Sequence, residues 1–109
     1  MIKVMNEDDF KDLVYGDKEL RNIIGLTGTI DWFNTPDYVL RDIVMYTKKG
    51  NYAITFRLTY KGSFTVTSKV CLDKRRSRLF QPFVHKKFKK FEPALAFAKQ
   101  ILVGMSLME

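Results

Sequence analysis

The stretch "NYAITFRLTY", residues 51–60, decides the fold of this chain. One set of side chains, Tyr52, Ile54, Phe56, Leu58 and Tyr60, alternates with a second set, Ala53, Thr55, Arg57 and Thr59. Because successive side chains of a β-strand point to opposite faces, this strict alternation predicts a strand with one apolar face and one more polar face. We expect helices to cover the apolar face and solvent to cover the other.

The alternating pattern extends on both sides of this strand. "SFTVTSKVCL", residues 63–72, predicts a second strand, and Lys61-Gly62-Ser63 predicts a short hairpin connection between the two. Upstream, "YVLRDIVMYTKKGN", residues 38–51, predicts a strand that enters another hairpin around residues 48–51. "LTGTIDWF", residues 26–33, is a candidate for one more strand. The middle of the chain therefore predicts a three- to four-stranded antiparallel sheet.

Both ends of the chain have helical periodicity instead. In residues 6–25, Asn6 and Asp17 are suited to cap two short helices, which Gly16 and Gly25 are suited to end. The apolar stripes are Phe10, Leu13 and Val14 in the first helix and Leu20, Ile23 and Ile24 in the second. A C-terminal helix is predicted over residues 92–108, with Pro93 in its first turn and an apolar stripe of Ala94, Leu95, Ala98, Ile101, Leu102 and Met105.

The predicted fold is one small α+β domain over residues 1–109, because a chain of 109 residues supports a single core. Its helices pack on one face of the sheet. Four parts follow in order: a helical part at 1–25, the sheet at 26–73, a basic aromatic segment at 74–91 and the C-terminal helix at 92–108. An apolar content of 46% and a charged content of 28% are typical of a folded domain.

Composition also limits where the protein acts. No apolar run reaches the ~18 residues of a membrane helix, and the first ten residues lack the order of a secretory signal. We therefore expect a cytoplasmic protein without a membrane partner. Cys71 and His85 are the only cysteine and histidine, so the sequence predicts neither an internal disulfide nor a Cys/His zinc site. Cys71 is expected to be a buried strand thiol.

The net charge of +7 is concentrated in one part of the sequence. Residues 69–90 contain nine lysine or arginine side chains and one aspartate, whereas the other 87 residues contain 10 basic and 11 acidic side chains. A local excess of positive charge attracts phosphate groups or an acidic protein surface. The candidate nucleic-acid-binding residues on the sheet face and in the basic segment are Arg57, Lys61, Lys69, Lys74, Arg75, Arg76, Arg78, Lys86, Lys87, Lys89 and Lys90.

Four phenylalanines are interspersed with these cations. Phe80 and Phe83 are candidates for stacking on unpaired bases, whereas Phe88 and Phe91 are expected to anchor the last helix in the core. Pro82, between the first two, favours an irregular turn over a central strand.

The alternating strands followed by "FKKFEPALAFAKQIL" resemble the small DNA-binding domains, a three-stranded sheet plus a helix, at the amino ends of phage and transposon integrases. The resemblance covers roughly residues 50–103. It implies an α+β fold and DNA binding, and it assigns a role to no individual residue. The segment of ~18 residues between the last predicted strand and the helix is longer than the loops usual in compact domains.

The sequence does not contain a recognisable catalytic motif. Its six glycines are scattered singly, so there is no glycine-rich phosphate loop. Pro36-Asp37 would suit the start of a nuclease metal site, but no Asp-x-Lys or Glu-x-Lys triplet follows it. We therefore expect a protein that is not an enzyme and has no cofactor or metal.

The leading hypothesis is a non-enzymatic nucleic-acid-binding protein, an accessory or regulatory protein of a microbe, phage or mobile element. DNA is the favoured partner, and RNA is the alternative. A protein-interaction module, an inhibitor or adaptor whose basic face docks on an acidic partner protein, is the rival hypothesis. The apolar tail "ILVGMSLM", residues 101–108, would either be buried in the monomer or pair with a second copy in a homodimer.

Overall fold

A computed structural model describes residues 5–29, 36–71 and 80–109 of the chain. Within these ranges the elements are α1 (Glu7–Tyr15), α2 (Lys18–Ile23), β1 (Ile24–Thr29), β2 (Val39–Thr47), β3 (Tyr52–Thr59), β4 (Phe64–Cys71), β5 (Phe80–Phe88) and α3 (Phe91–Met108). This order of two helices, a run of strands and a closing helix confirms the predicted α+β fold.

The strands form one antiparallel sheet in the order β1-β2-β3-β4-β5. β3, the strand with the strictest alternation, lies at its centre, with Phe56 opposite Ile43 of β2 and Val66 of β4. Both predicted hairpins are present, and their turns place Gly50 and Gly62 at positive φ, +75° and +83°. Glycine adopts this backbone conformation without the steric cost that a side chain would bring.

The sheet has five strands instead of the predicted three to four, because residues 80–88 form β5. The prediction of an irregular turn at Pro82 is therefore wrong, because Pro82 lies in β5, opposite Lys69. β5 is an edge strand, and a proline is tolerated there because the strand bonds to a neighbour on one side only. The register shifts between Ser68 and Lys69, which accommodates the irregularity.

The helix starts follow the predicted capping residues. The Asn6 Oδ1 atom accepts a hydrogen bond from the Asp9 backbone N–H at 2.8 Å, and Asp17 Oδ1 accepts one from Leu20 N–H at 3.0 Å. α2 ends at Ile23, so Gly25 does not terminate a helix as predicted but lies within β1. A Cβ atom on Gly25 would lie 2.8 Å from the Lys48 Cα atom, so only glycine allows this close approach of β1 and β2.

The core lies between the helices and one face of the sheet. Four phenyl rings meet there, from Phe10 of α1, Phe56 of β3, Phe64 of β4 and Phe91 of α3; the Phe10 and Phe56 centroids are 5.0 Å apart. Phe88 is partly buried against the same core and lies 5.4 Å from the Phe97 ring. The prediction that Phe88 and Phe91 anchor the last helix is confirmed.

α3 buries one side against the sheet and leaves apolar side chains on the other. Ala94, Ala98, Leu102 and Met105 are buried, whereas Val103, Leu107 and Met108 are exposed. Burial of Leu102 and Met105 shows that the tail contributes to the core of the monomer, and the homodimer stays a prediction. None of the helices in the described ranges has the length and hydropathy needed to cross a membrane.

Candidate functional site

The face of the sheet away from the helices differs from the prediction. Thr55 and Thr59 of β3 are only 5% and 6% exposed, and Thr65 of β4 is 9% exposed. Ala53, on the same face, is fully buried and lies in register between Tyr46 and Lys69. Short side chains in central strands are covered by longer side chains on the adjacent strands. This face therefore does not present the predicted row of solvent-exposed hydroxyl groups.

Arg57, a predicted phosphate-binding residue, is engaged inside the protein. Its Nε and Nη2 atoms donate to the two carboxylate oxygens of Asp42 at 2.8 and 2.9 Å, and Nη1 donates to the Tyr38 hydroxyl at 3.0 Å. The Asp42 side chain is 1% exposed. The hydrogen bond to Asp42 raises the pKa of Arg57, and the pair neutralises its charge locally. We therefore assign Arg57 a structural role.

The predicted cations of β4 and β5 do not form one surface. The Lys86 Nζ atom lies 5.3 Å from the centroid of the Phe88 ring and 5.2 Å from that of Phe97 in α3, on the helix side of the sheet. Lys87, the next residue, lies in register with Thr65 and therefore faces the other side. Lys69 is partly buried and is paired with Ala53, at the opposite end of β4 from Phe64.

Four of the predicted lysines line one groove, which we call the basic groove. Met5, residues 61–64, Lys87 and residues 89–92 line it, and its volume is about 530 Å³. Among the described residues that line it, the cations are Lys61, Lys87, Lys89 and Lys90, and the only acid is Glu92. In the described part of the chain, no ion pair joins any of these lysines to a carboxylate. The groove therefore keeps a net positive charge.

The fold positions the groove at one end of the sheet. On one side is the β3–β4 turn, closed by the hydrogen bond from Gly62 N–H to the Thr59 carbonyl at 3.0 Å and by a hydrogen bond between the Thr59 and Ser63 hydroxyls at 2.7 Å. On the other side is the start of α3. Its N-cap residue, Lys90, makes no side-chain capping hydrogen bond, and its first turn carries Glu92, the acid that lines the groove.

Part of the predicted site lies outside the described residues. Lys74, Arg75, Arg76 and Arg78 fall in the gap between β4 and β5. For Phe80, Phe83 and Cys71 the backbone belongs to strands, but their side chains are outside what the structure describes. Their predicted roles in phosphate binding, base stacking and burial stay predictions.

Two exposed tyrosines lie close to the β3–β4 turn, and the sequence patterns did not predict their exposure. Tyr38 is 57% and Tyr60 61% exposed, and the Tyr60 N–H donates to the Tyr38 carbonyl at 3.0 Å. Alternation placed Tyr60 with the covered face of β3, but the strand ends at Thr59. The sequence did contain a signal for the exposure of Tyr60. The Lys61-Gly62 turn follows Tyr60 directly, and at a turn strand alternation no longer determines the face to which a side chain points.

No group of three or more His, Cys, Asp or Glu side chains in the described ranges could hold a metal ion. The chain matches no protein-family model, and no curated protein or solved structure matches it significantly. The function is therefore inferred from the chemistry of the basic groove and its surroundings.

Proposed function

We propose that the protein is a non-enzymatic nucleic-acid-binding protein, acting in the cytoplasm as an accessory or regulatory factor. The observation that carries this proposal is the convergence of Lys61, Lys87, Lys89 and Lys90 on one groove, where Glu92 is the only acid among the described lining residues. The phosphate backbone of DNA or RNA is the partner that this arrangement fits best.

Lysine ammonium groups and the N-terminus of a helix both favour phosphate oxygens as ligands. Each lysine offers three N–H donors on a flexible stem, so neighbouring lysines can follow a chain of phosphates without a fixed geometry. The first turn of α3 adds backbone N–H groups and the positive end of the helix dipole. Contacts of this kind give affinity and orientation and carry no sequence information themselves.

The partner should be a polymer, because the cations come from separated elements. Lys61 lies in the β3–β4 turn, Lys87 in β5, and Lys89 and Lys90 directly before α3. A chain of phosphates can contact all three places at once. Each lysine–phosphate contact releases condensed counterions, so binding of this kind weakens steeply as salt increases.

The test is fluorescence anisotropy of labelled DNA and RNA oligonucleotides titrated with the protein over a range of salt concentrations. We expect a plot of log K against log salt with a slope of about −3, as four phosphate contacts predict. The variant Lys61→Ala/Lys89→Ala should bind more weakly and have a slope about 1.5 units shallower. These side chains are exposed, so the fold should be retained.

The matched control is Lys18→Ala/Lys48→Ala, which removes the same charge from exposed positions outside the groove. If the groove is the site, this control binds like the unmodified protein. An equal loss of affinity in both variants would show that net charge alone drives binding. If no oligonucleotide binds at low salt, the proposal is wrong, and an acidic protein becomes the partner to seek.

A further inference from the structure

The shape of the sheet excludes one way of reading DNA. Five strands at a spacing of about 4.8 Å span about 19 Å, whereas the major groove of B-DNA is about 12 Å wide. The hydroxyls that would contact base edges are also buried, with Thr55 5% and Thr59 6% exposed. Direct reading of bases needs side chains that are free to enter the groove, so the sheet face is unsuited to a duplex.

Two exposed aromatic side chains close to the β3–β4 turn, which forms one side of the basic groove, suit a different ligand. Tyr60 directly precedes Lys61, which lines the groove, and Tyr38 is hydrogen-bonded to Tyr60 through the backbone at 3.0 Å. Both side chains are more than half exposed, although large aromatic side chains gain stability from burial. Exposed rings beside phosphate-binding cations are the arrangement with which proteins hold unpaired bases.

The Tyr38 ring is also held in place before any ligand binds. Arg57 donates to its hydroxyl at 3.0 Å, the Arg57 guanidinium carbon lies 5.6 Å from its ring centroid, and Asp42 fixes Arg57 with two bonds. A side chain that is ordered in the free protein loses less conformational entropy on binding. Arg57 therefore acts as a positioning residue for a stacking surface.

We infer that the ligand of the basic groove is single-stranded nucleic acid, whose phosphates contact the lysines while its unpaired bases stack on Tyr60 and Tyr38. This inference rests on the proposed function and narrows it from nucleic acid to unpaired strands. A duplex keeps its bases stacked on each other and offers no free base face to these rings.

The experiment compares three labelled probes by fluorescence anisotropy: oligothymidylate, an abasic oligonucleotide with the same number of phosphates, and a duplex of the same length. The unmodified protein should bind oligothymidylate most tightly. Tyr60→Ala and Tyr38→Ala should each weaken that binding about five- to a hundredfold and leave binding to the abasic probe unchanged. Oligouridylate in place of oligothymidylate tests RNA in the same way.

Conservative variants and a surface control separate stacking from general stickiness. Tyr60→Trp keeps a flat ring and should retain the preference for oligothymidylate over the abasic probe. Leu107→Ala removes a side chain that is 84% exposed on α3 and should change nothing. Circular dichroism and thermal unfolding of each variant show whether the fold is intact.

The outcomes distinguish failure of this inference from failure of the proposed function. Equal affinity for oligothymidylate and the abasic probe, or a preference for the duplex, would overturn the inference and leave phosphate binding by the groove intact. Binding to none of the probes at low salt would overturn both. Retained preference in the folded Tyr60→Ala and Tyr38→Ala variants would remove these rings from the site.

Discussion

At one end of the sheet the β2–β3 turn carries Lys48 and Lys49, and at the other the β3–β4 turn carries Lys61. An end of α3 lies beside each turn. At the first end, Glu109 accepts hydrogen bonds from the Lys49 and Asn51 backbone N–H groups at 3.1 and 3.2 Å, and Lys49 Nζ donates to the Glu109 carbonyl at 3.0 Å. At the second end, Lys61 and three further lysines line the basic groove.

The difference between these ends shows that the number of lysines does not identify a binding site. What matters is whether a carboxylate or another acceptor of the protein already engages them. Lys49 is one of several cations that have a partner within the fold. Two others are Arg57, which is paired with Asp42, and Lys99, which is paired with Asp17. Lysines without such a partner remain available to a phosphate. Substitutions at the paired cations should therefore change stability, whereas substitutions in the groove should change the salt dependence of binding.

The largest effect should come from Arg57→Ala. It would leave the Asp42 carboxylate, with a side chain 1% exposed, without its partner, and the loss of one member of such a pair costs about 3 kcal/mol. Urea unfolding would measure the loss. The salt slope of nucleic-acid binding by the folded variant should stay unchanged, because the charge of Arg57 is already paired with Asp42. A shallower salt slope together with an unchanged free energy of unfolding would show that Arg57 contacts phosphate, as the groove lysines are proposed to do.

A smaller effect should follow from Asp17→Ala, which removes both the cap of α2 and the 2.8 Å contact with Lys99 Nζ. We expect a loss of about 1 to 2 kcal/mol in the free energy of unfolding. Asp17→Asn is the matched control, because asparagine also caps helices but carries no charge, and it should lose less than half as much. Equal losses in the two variants would assign the whole effect to the ion pair.

The pH dependence of unfolding should show the same pair. Burial alone would raise the pKa of Asp17, but hydrogen bonds from Lys99 and from the Leu20 backbone outweigh it and lower that pKa. The hydrogen bond to Asp17 raises the pKa of Lys99. The pair therefore contributes fully between about pH 4 and pH 10, and less as the pH falls through the Asp17 pKa or rises through that of Lys99. The difference between the unmodified protein and Asp17→Asn should shrink beyond both limits.

The smallest effect should come from Glu109→Gln at the paired end. Burial opposes ionisation of Glu109, but hydrogen bonds from Thr47 and from the Lys49 and Asn51 backbones lower its pKa. Loss of the charge should cost less than about 1 kcal/mol, because the amide oxygen still accepts one bond. The variant loses one negative charge far from the groove, so its net charge rises by one. If the position of a charge and not the net charge controls binding, anisotropy will show unchanged affinity for nucleic acid. A rise in affinity as large as the loss caused by removing one groove lysine would show that net charge controls binding instead.

The sequence predicted those parts of the fold that depend on local pattern. The β3 alternation, the glycine turns and the caps Asn6 and Asp17 each need only neighbouring residues, and all are present. β5 was not predicted, because an edge strand does not need a strict alternation of apolar and polar residues and because Pro82 is unusual within a strand.

The candidate site was predictable only in part, for a related reason. Lys61 lies in a turn, and turn residues are usually exposed, so the sequence alone predicted that Lys61 would be accessible. The pairing of Arg57 with Asp42 depends on which residues of β2 and β3 lie opposite each other, and the sequence does not specify that register. Burial of Thr55 depends on neighbours in adjacent strands, whereas alternation indicates only the face.

The position of Pro82 in β5 has a consequence for the protein at high concentration. An exposed edge strand is a template on which another chain can add a strand, and this is a common route to aggregation. Pro82 has no N–H group to offer such a strand, and the register shift opposite it bends the ladder. Lys86 and Lys87 of β5 are both exposed. If the β5 strands of two molecules paired, these positive charges would repel each other. The edge of the sheet is thereby protected against pairing between molecules.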